Sequence, residues 1–159
     1  MNENGRSRRS LLRTGASALA AAALMPKVAA ACATAGLSPK TARTIRRYYA
    51  AWEHKDWHAL ETLLADGFTF TSPNDDHDSL SLFKTRCWDS NVDLIGHFDL
   101  QLLAGNGNDA LAMYVLHVRN GKTIENIEHF HMRDGKVASV RCYFGEQNSY
   151  PAAVTRAAG

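Results

Sequence analysis

The residue best placed to do chemistry in this chain is a carboxylate standing where apolar side chains are expected. Glu128 lies in I-E-N-I-E-H-F-H-M-R, on the same strand parity as Phe130 and Met132. An ionised carboxylate enclosed by apolar groups costs several kcal/mol, so it is neutralised, paired or put to use. A neutral carboxylic acid can donate a hydrogen bond to an oxygen that gains negative charge. Other chemistry-bearing residues form no recognisable set. His129 and His131 alternate on one strand face but have no third ligand at a suitable spacing. The acids of P-N-D-D-H-D lack the spaced ligands and central glycine of a calcium loop. No glycine-rich phosphate loop, nucleophile elbow or dinucleotide fingerprint occurs. No metal and no cofactor is expected from these patterns.

The elements that must position Glu128 follow from caps and periodicity. Ser38 before Pro39 is a capping side chain followed by proline at the first helical position. The helix they open runs to about Glu53, with Ile45, Tyr48, Tyr49 and Trp52 on one broad side and Arg43, Arg46 and Arg47 largely elsewhere. Asp56 caps a second helix through Leu60, Leu63 and Leu64, with a stop at Gly67. F-T-F-T-S is a short strand, P-N-D-D-H-D a polar loop, and Asp78 the cap of a third helix over about 79–88.

From Val92 to Phe144 the pattern is that of strands. Leu94, Phe98, Leu100 and Leu102 alternate with Asp93, His97, Asp99 and Gln101, the period of a sheet with one buried face. Helices first and an antiparallel meander after them predict an α+β single domain, its sheet covered by N-terminal helices. Asn120-Gly121 predicts a two-residue hairpin that sets Met113 opposite Glu128, Val115 opposite Asn126 and His117 opposite Ile124, all on the inner face. A three-residue loop Arg133-Asp134-Gly135 would then set Val140 opposite Glu128, bury Cys142 and Phe144, and leave Ser139 and Arg141 outside.

The ends have a different character. R-S-R-R-S-L-L-R followed by an alanine-rich run and small residues has the layout of a twin-arginine export signal over residues 1–31. The apolar run, about residues 15–25, is too short for a stable transmembrane span. Export implies a periplasmic or extracellular domain, with lipid attachment at Cys32 a lesser alternative. Removal of the signal takes away five basic residues (Arg6, Arg8, Arg9, Arg13, Lys27) and one acid (Glu3), moving the net charge from +2 to −2. The remaining domain therefore carries no electrostatic footprint for nucleic acid or anionic lipid. Residues 32–37 read as a linker, 38–146 as the domain and 147–159 as a flexible tail. Cys87 and Cys142 remain in it, and their pairing is left open.

I-R-R-Y-Y-A-A-W-E-H-K-D-W-H-A-L-E-T-L-L-A-D-G-F-T-F-T-S-P and I-E-H-F-H-M-R-D-G-K-V-A-S-V-R-C-Y-F-G-E-Q-N resemble the ketosteroid isomerase branch of the nuclear transport factor 2-like (SnoaL-like) superfamily. The resemblance implies a cone of curved antiparallel sheet closed by helices, a pocket inside it, and a homodimer through the outer sheet face. It also implies an oxyanion held by two donors, which fall on Tyr48 and Glu128. Ser72, before Pro73, stands where those isomerases carry the catalytic aspartate. A serine cannot take a proton from a carbon acid without activation. Asp75, Asp76 and His117 are the substitutes for that base.

The resulting expectation is a pocket protein that binds a small, largely apolar molecule, a carbonyl compound among the candidates. Tyr48 and Glu128 are its polar anchors, and Trp52, Met113, Phe130, Val140, Cys142 and Phe144 its walls. One alternative is an isomerase, cyclase or hydratase using Asp75, Asp76 or His117 as base. Another is a dimeric interaction module presenting Tyr114, His129 and Arg141 on the outer face.

Overall fold

Ser38 and Pro39 open the first helix as their types dictate. In the computed structural model, which describes residues 33–144, α1 spans Pro39–His54 and the Ser38 hydroxyl accepts the Thr41 N–H at 3.0 Å. Lys55, at φ 58°, closes it by donating its N–H to Ala51 and Trp52 carbonyls. The buried side of α1 carries Ile45, Tyr48, Tyr49 and Trp52, each under 6% exposed. Full burial of such a side chain contributes about 1.5–3 kcal/mol, so this stripe sets how α1 docks. Asp56 caps α2 (Trp57–Leu63) by accepting the Ala59 N–H at 2.8 Å. The expected export signal, Cys32 and the expected C-terminal tail lie outside the described residues. No helix among the described residues is long and apolar enough to cross a membrane.

Strand β2 (Leu64–Ser72) follows α2 without a break, and the stop expected at Gly67 is instead an irregularity inside that strand. Gly67 takes φ 71°, and the pairing of β2 with its neighbour shifts between Leu64 and Thr69. A left-handed glycine of this kind bulges a strand rather than ending a helix. The loop expected at P-N-D-D-H-D contains β3 (Asp75–Ser79), paired antiparallel with β2. Asp78 does not cap the next helix. It is 4% exposed, because its register partner is Phe70 and both face inward. Residues 80–91 form one irregular helical segment: an α-helical turn (Leu80–Leu82), a π-helical stretch (Phe83–Trp88) and a second α-helical turn (Asp89–Asn91).

The long strands are β4 (Ile95–Asn106), β5 (Asp109–Val118), β6 (Thr123–Arg133) and β7 (Lys136–Phe144). With β1 (Ala33–Ala35), part of the expected linker, the sheet order is β1-β4-β5-β6-β7-β2-β3. The meander β4 to β7 is antiparallel, whereas β1 on β4 and β2 on β7 are parallel, so the sheet is mixed. The domain is α+β, as expected. Bulges in β4 between Ile95 and His97 and between Leu100 and Leu102 bend it. They also move Leu103, with no exposure, into the core in place of Leu102, and leave Leu94 41% exposed.

The β5–β6 register differs from the expectation by one residue. Ala112 lies opposite Glu128, Tyr114 opposite Asn126, and Leu116 opposite Ile124. The connection is a three-residue loop: the Val118 N–H donates to the Lys122 carbonyl at 2.8 Å and Gly121 alone is left-handed, at φ 86°. A two-residue Asn-Gly turn would need both residues left-handed. A slip of one residue reverses every side chain. Tyr114 therefore turns inward, and Met113 and His117 turn outward.

The β6–β7 turn is the reverse case. Asp134 (φ 55°) and Gly135 (φ 79°) make a two-residue loop, and an irregularity between His131 and Met132 restores the parity. Val140 and Cys142 are buried and Arg141 is exposed, but Glu128 faces Cys142 rather than Val140.

Candidate functional site

Between α1, the 80–91 segment and the concave face of the sheet lies a hollow of about 150 Å³. Its floor holds Glu128, 7% exposed, with Tyr49 and Tyr114 at 2% and 3%. The Tyr49 hydroxyl donates to Glu128 Oε2 at 2.6 Å and the Tyr114 hydroxyl to Oε1 at 3.3 Å. Asn126 Nδ2 donates in turn to the Tyr114 oxygen at 3.2 Å. These residues converge for simple reasons. Asn126 and Glu128 alternate on β6, Tyr114 lies opposite Asn126, and Tyr49 hangs over them from α1. Tyr49 is fixed edge-on to Tyr114 and tilted on Phe98, at centroid separations of 5.2 and 4.9 Å.

Burial pushes the Glu128 carboxyl up to about 7, although its hydrogen bonds from Tyr49 and Tyr114 and the neighbouring Cys142 thiol pull the other way. Near neutrality it is therefore divided between the ionised and protonated forms. Burial, and then the neighbouring Glu128 charge, push both the Tyr49 and Tyr48 hydroxyls well above the ordinary tyrosine value, so both keep their protons. The floor is thus a buried set of donors and acceptors in which Glu128 is the group that changes charge near neutrality.

The tyrosine expected to act beside Glu128 is Tyr48, whereas the α1 hydroxyl bonded to the acid is that of Tyr49. Successive helical residues point about 100° apart, and α1 is rolled so that Tyr49 faces the acid. Tyr48 lies on the wall of the hollow, edge-on to Phe130 at 5.2 Å and to Tyr49 at 5.4 Å. Of the other expected walls, Trp52, Cys142 and Phe144 line the hollow. Phe130 and Val140 are enclosed in the core and do not reach it, and Met113 is 38% exposed on the outer face.

The expected bases separate as well. His117 lies on the outer face, its ring stacked on His97 at 4.0 Å, because the register slip turned it away. Asp76 is exposed and paired with His77 at 2.5 Å. Asp75 lines the mouth of the hollow, where its Oδ2 accepts the Ser72 hydroxyl at 2.8 Å. Tyr49 and Asn126 were not singled out from the sequence as site residues, and Tyr114, expected on the outer face with His129 and Arg141, is instead buried against Glu128. The parity of Asn126 with Glu128 was readable, whereas Tyr114 needed the true register.

Cys87 and Cys142 are free thiols on the wall of the hollow. Burial pushes both up, Cys87 further raised by Glu128 and by Asp75, which makes them poor nucleophiles. On the outer face, His129 Nε2 and His131 Nδ1 each lie 3.0 Å from Asp109 Oδ1. Among the described residues no three His, Cys, Asp or Glu side chains are grouped as metal ligands.

A family model described as "SnoaL-like domain" matches residues 45–140. Among solved structures, an NTF2-like protein of unknown function from Cytophaga hutchinsonii is similar at 21% identity and a TM-score of 0.56, over 68% of this chain and 92% of that one. An LEH-like epoxide hydrolase from M. tuberculosis is similar at 12% identity and a TM-score of 0.59, over 73% and 90%. A de novo designed protein with a curved β-sheet reaches a TM-score of 0.63 at 12% identity, over 75% and 96%. No curated protein matches the chain. Likeness at these identities concerns the fold. A designed backbone in the set underlines that the architecture by itself carries no activity.

Proposed function

The chain belongs to the SnoaL-like domain family, and from that premise we propose that its hollow binds a small, largely apolar carbonyl compound. The observation that carries this reading is the buried Glu128 carboxyl, held by Tyr49 and Tyr114 at the floor of a mostly apolar hollow. In its protonated form the acid donates to the ligand oxygen, and the two tyrosines fix its orientation. Tyr48 serves as wall and ring contact. A hollow of about 150 Å³ is the size that accepts a single aromatic ring. The twin-arginine pattern at Arg8-Arg9 supports export to the periplasm or beyond. The outward row Met113, Ile127 and Tyr143, opposite one another across β5, β6 and β7, supports a second copy as partner.

Titration calorimetry with acetophenone and cyclohexanone tests the reading. Binding should be constant below about pH 6 and weaken about tenfold per unit above about pH 8, as the proton that the ligand needs is lost. Glu128→Gln should bind with no such pH dependence. Absence of binding by the wild type, or an identical pH profile in the variant, ends the proposal.

A second reading is favoured by the Ser72–Asp75 bond, which holds a carboxylate at the mouth of the same hollow. In that reading Asp75 removes a proton from the carbon beside the ligand carbonyl, and Glu128 stabilises the enolate. Deuterium exchange into a bound ketone, lost in Asp75→Asn, is its signature. Exchange that survives Asp75→Asn excludes Asp75 as the base.

A further inference from the structure

Arg86 is the only cation among the described residues that line the hollow. It projects from the π-helical stretch, which also places Cys87 on the wall, and its side chain is 59% exposed. Among the described residues its single hydrogen-bond partner is Asp78 Oδ1, at 3.4 Å. Charge-assisted N–H···O bonds close to about 2.7–2.9 Å, and a guanidinium carries five N–H donors in a planar fork. Most of that fork is therefore uncommitted at the mouth. The Asp78 side chain is 5% exposed and its Oδ2 has no partner among the described residues, so the pair is held loosely on both sides. The other cation of the segment, Lys84, is committed to Asp89 at 2.8 Å. Asp75, the acid at the mouth, forms no ion pair with Arg86 and turns one oxygen into the Ser72 hydroxyl.

We propose that Arg86 recognises a carboxylate on the ligand, so that the hollow takes a small oxo-acid: one apolar ring with a carbonyl directed at Glu128 and an anionic group left at the mouth. This rests on the carbonyl-binding reading and adds the class of ligand to it. The geometry separates the two ends. The acid that donates to the carbonyl lies on the floor, while the cation lies at the rim, where an anion stays partly hydrated and its desolvation is small. Two oxygens of a carboxylate match the free edge of the guanidinium as a bidentate pair.

The test compares acetophenone, 4-acetylbenzoate and 4-(aminomethyl)acetophenone by calorimetry on the wild type, Arg86→Gln and the double variant Arg86→Gln/Asp78→Asn. The double variant removes the buried charge that Arg86→Gln would leave unpaired, so a folding defect in the single variant does not obscure the result. The wild type should bind 4-acetylbenzoate about tenfold more tightly than acetophenone, with the advantage shrinking as salt is raised. Both variants should bind acetophenone as the wild type does and lose the carboxylate advantage. Asp75→Asn should enlarge it. Equal affinity for the acid and the parent ketone in the wild type, an advantage that survives in the double variant, or preference for the ammonium compound overturns the assignment of Arg86. Failure of acetophenone itself to bind overturns the carbonyl reading as well, and so is distinguished from failure of the carboxylate alone.

Discussion

Replacing Glu128 by Gln should change how stability depends on pH, in a direction and by an amount set by the site. Burial raises the Glu128 carboxyl from an ordinary 4.5 to about 7 in the folded chain. Between those values the unfolded chain has released the proton while the folded one keeps it. The folded state thus binds more protons there, and stability falls as pH rises. Below about 4.5 both states are protonated and above about 7 both are ionised, so the loss is confined to that window. Each pKa unit corresponds to about 1.36 kcal/mol, which makes the loss about 3 kcal/mol. For a domain of this size that is a fall in Tm on the order of 10 °C.

Glutamine keeps the shape and offers both tyrosines a partner, but it does not titrate. Melting curves of the full chain at several pH values from 4.5 to 8.5 should show the wild type losing stability relative to Glu128→Gln across the window. The difference between the two proteins should level off above about pH 7.5. Every group other than residue 128 is common to both proteins, which is why the difference is the quantity to read. A difference independent of pH, or one that grows with pH beyond 8, would refute the claim that the carboxyl is buried and raised.

Tyr49→Phe should destabilise the fold by about 1–3 kcal/mol and push Glu128 further up, since the 2.6 Å bond that lowers it is gone. Tyr48→Phe should cost less than about 1 kcal/mol; denaturant titration compares the two, and equal effects would contradict the helix roll. At pH 8, iodoacetamide should leave Cys87 and Cys142 unmodified in the folded protein and label both after denaturation, as read by peptide mass spectrometry. Gly105→Ala should lower Tm sharply, because a Cβ there collides with the Asp109 carbonyl oxygen and the Leu37 side chain.

Much of the site was within reach of the sequence because its positioning is local. Ser38-Pro39 and Asp56 state where two helices begin, since a capping side chain and a proline act within one turn. Alternation along β6 states that Asn126, Glu128 and Phe130 share a face, since strand parity belongs to the strand alone. The last hairpin came out with its inner face as expected although its loop differs. A two-residue turn plus a bulge and a three-residue turn give the same parity.

The relations between elements were decided only when they packed. Asn120-Gly121 serves a two-residue or a three-residue loop equally well, and burial of Tyr114 and Leu116 in place of Met113 and His117 selected the second. Tyr48 and Tyr49 are equal candidates on a helix considered alone, and the roll of α1 against Phe98, Tyr114 and Phe130 chose which hydroxyl meets the acid. Composition placed three acids after Pro73, yet it took the pairing of β3 with β2 to bury Asp78, expose Asp76 and bring Asp75 to the mouth. The sequence determined by itself that an acid would be enclosed, because that depends on a period of two along one strand. Which groups meet that acid depends on distances across strands and helices, and those exist only in the assembled fold.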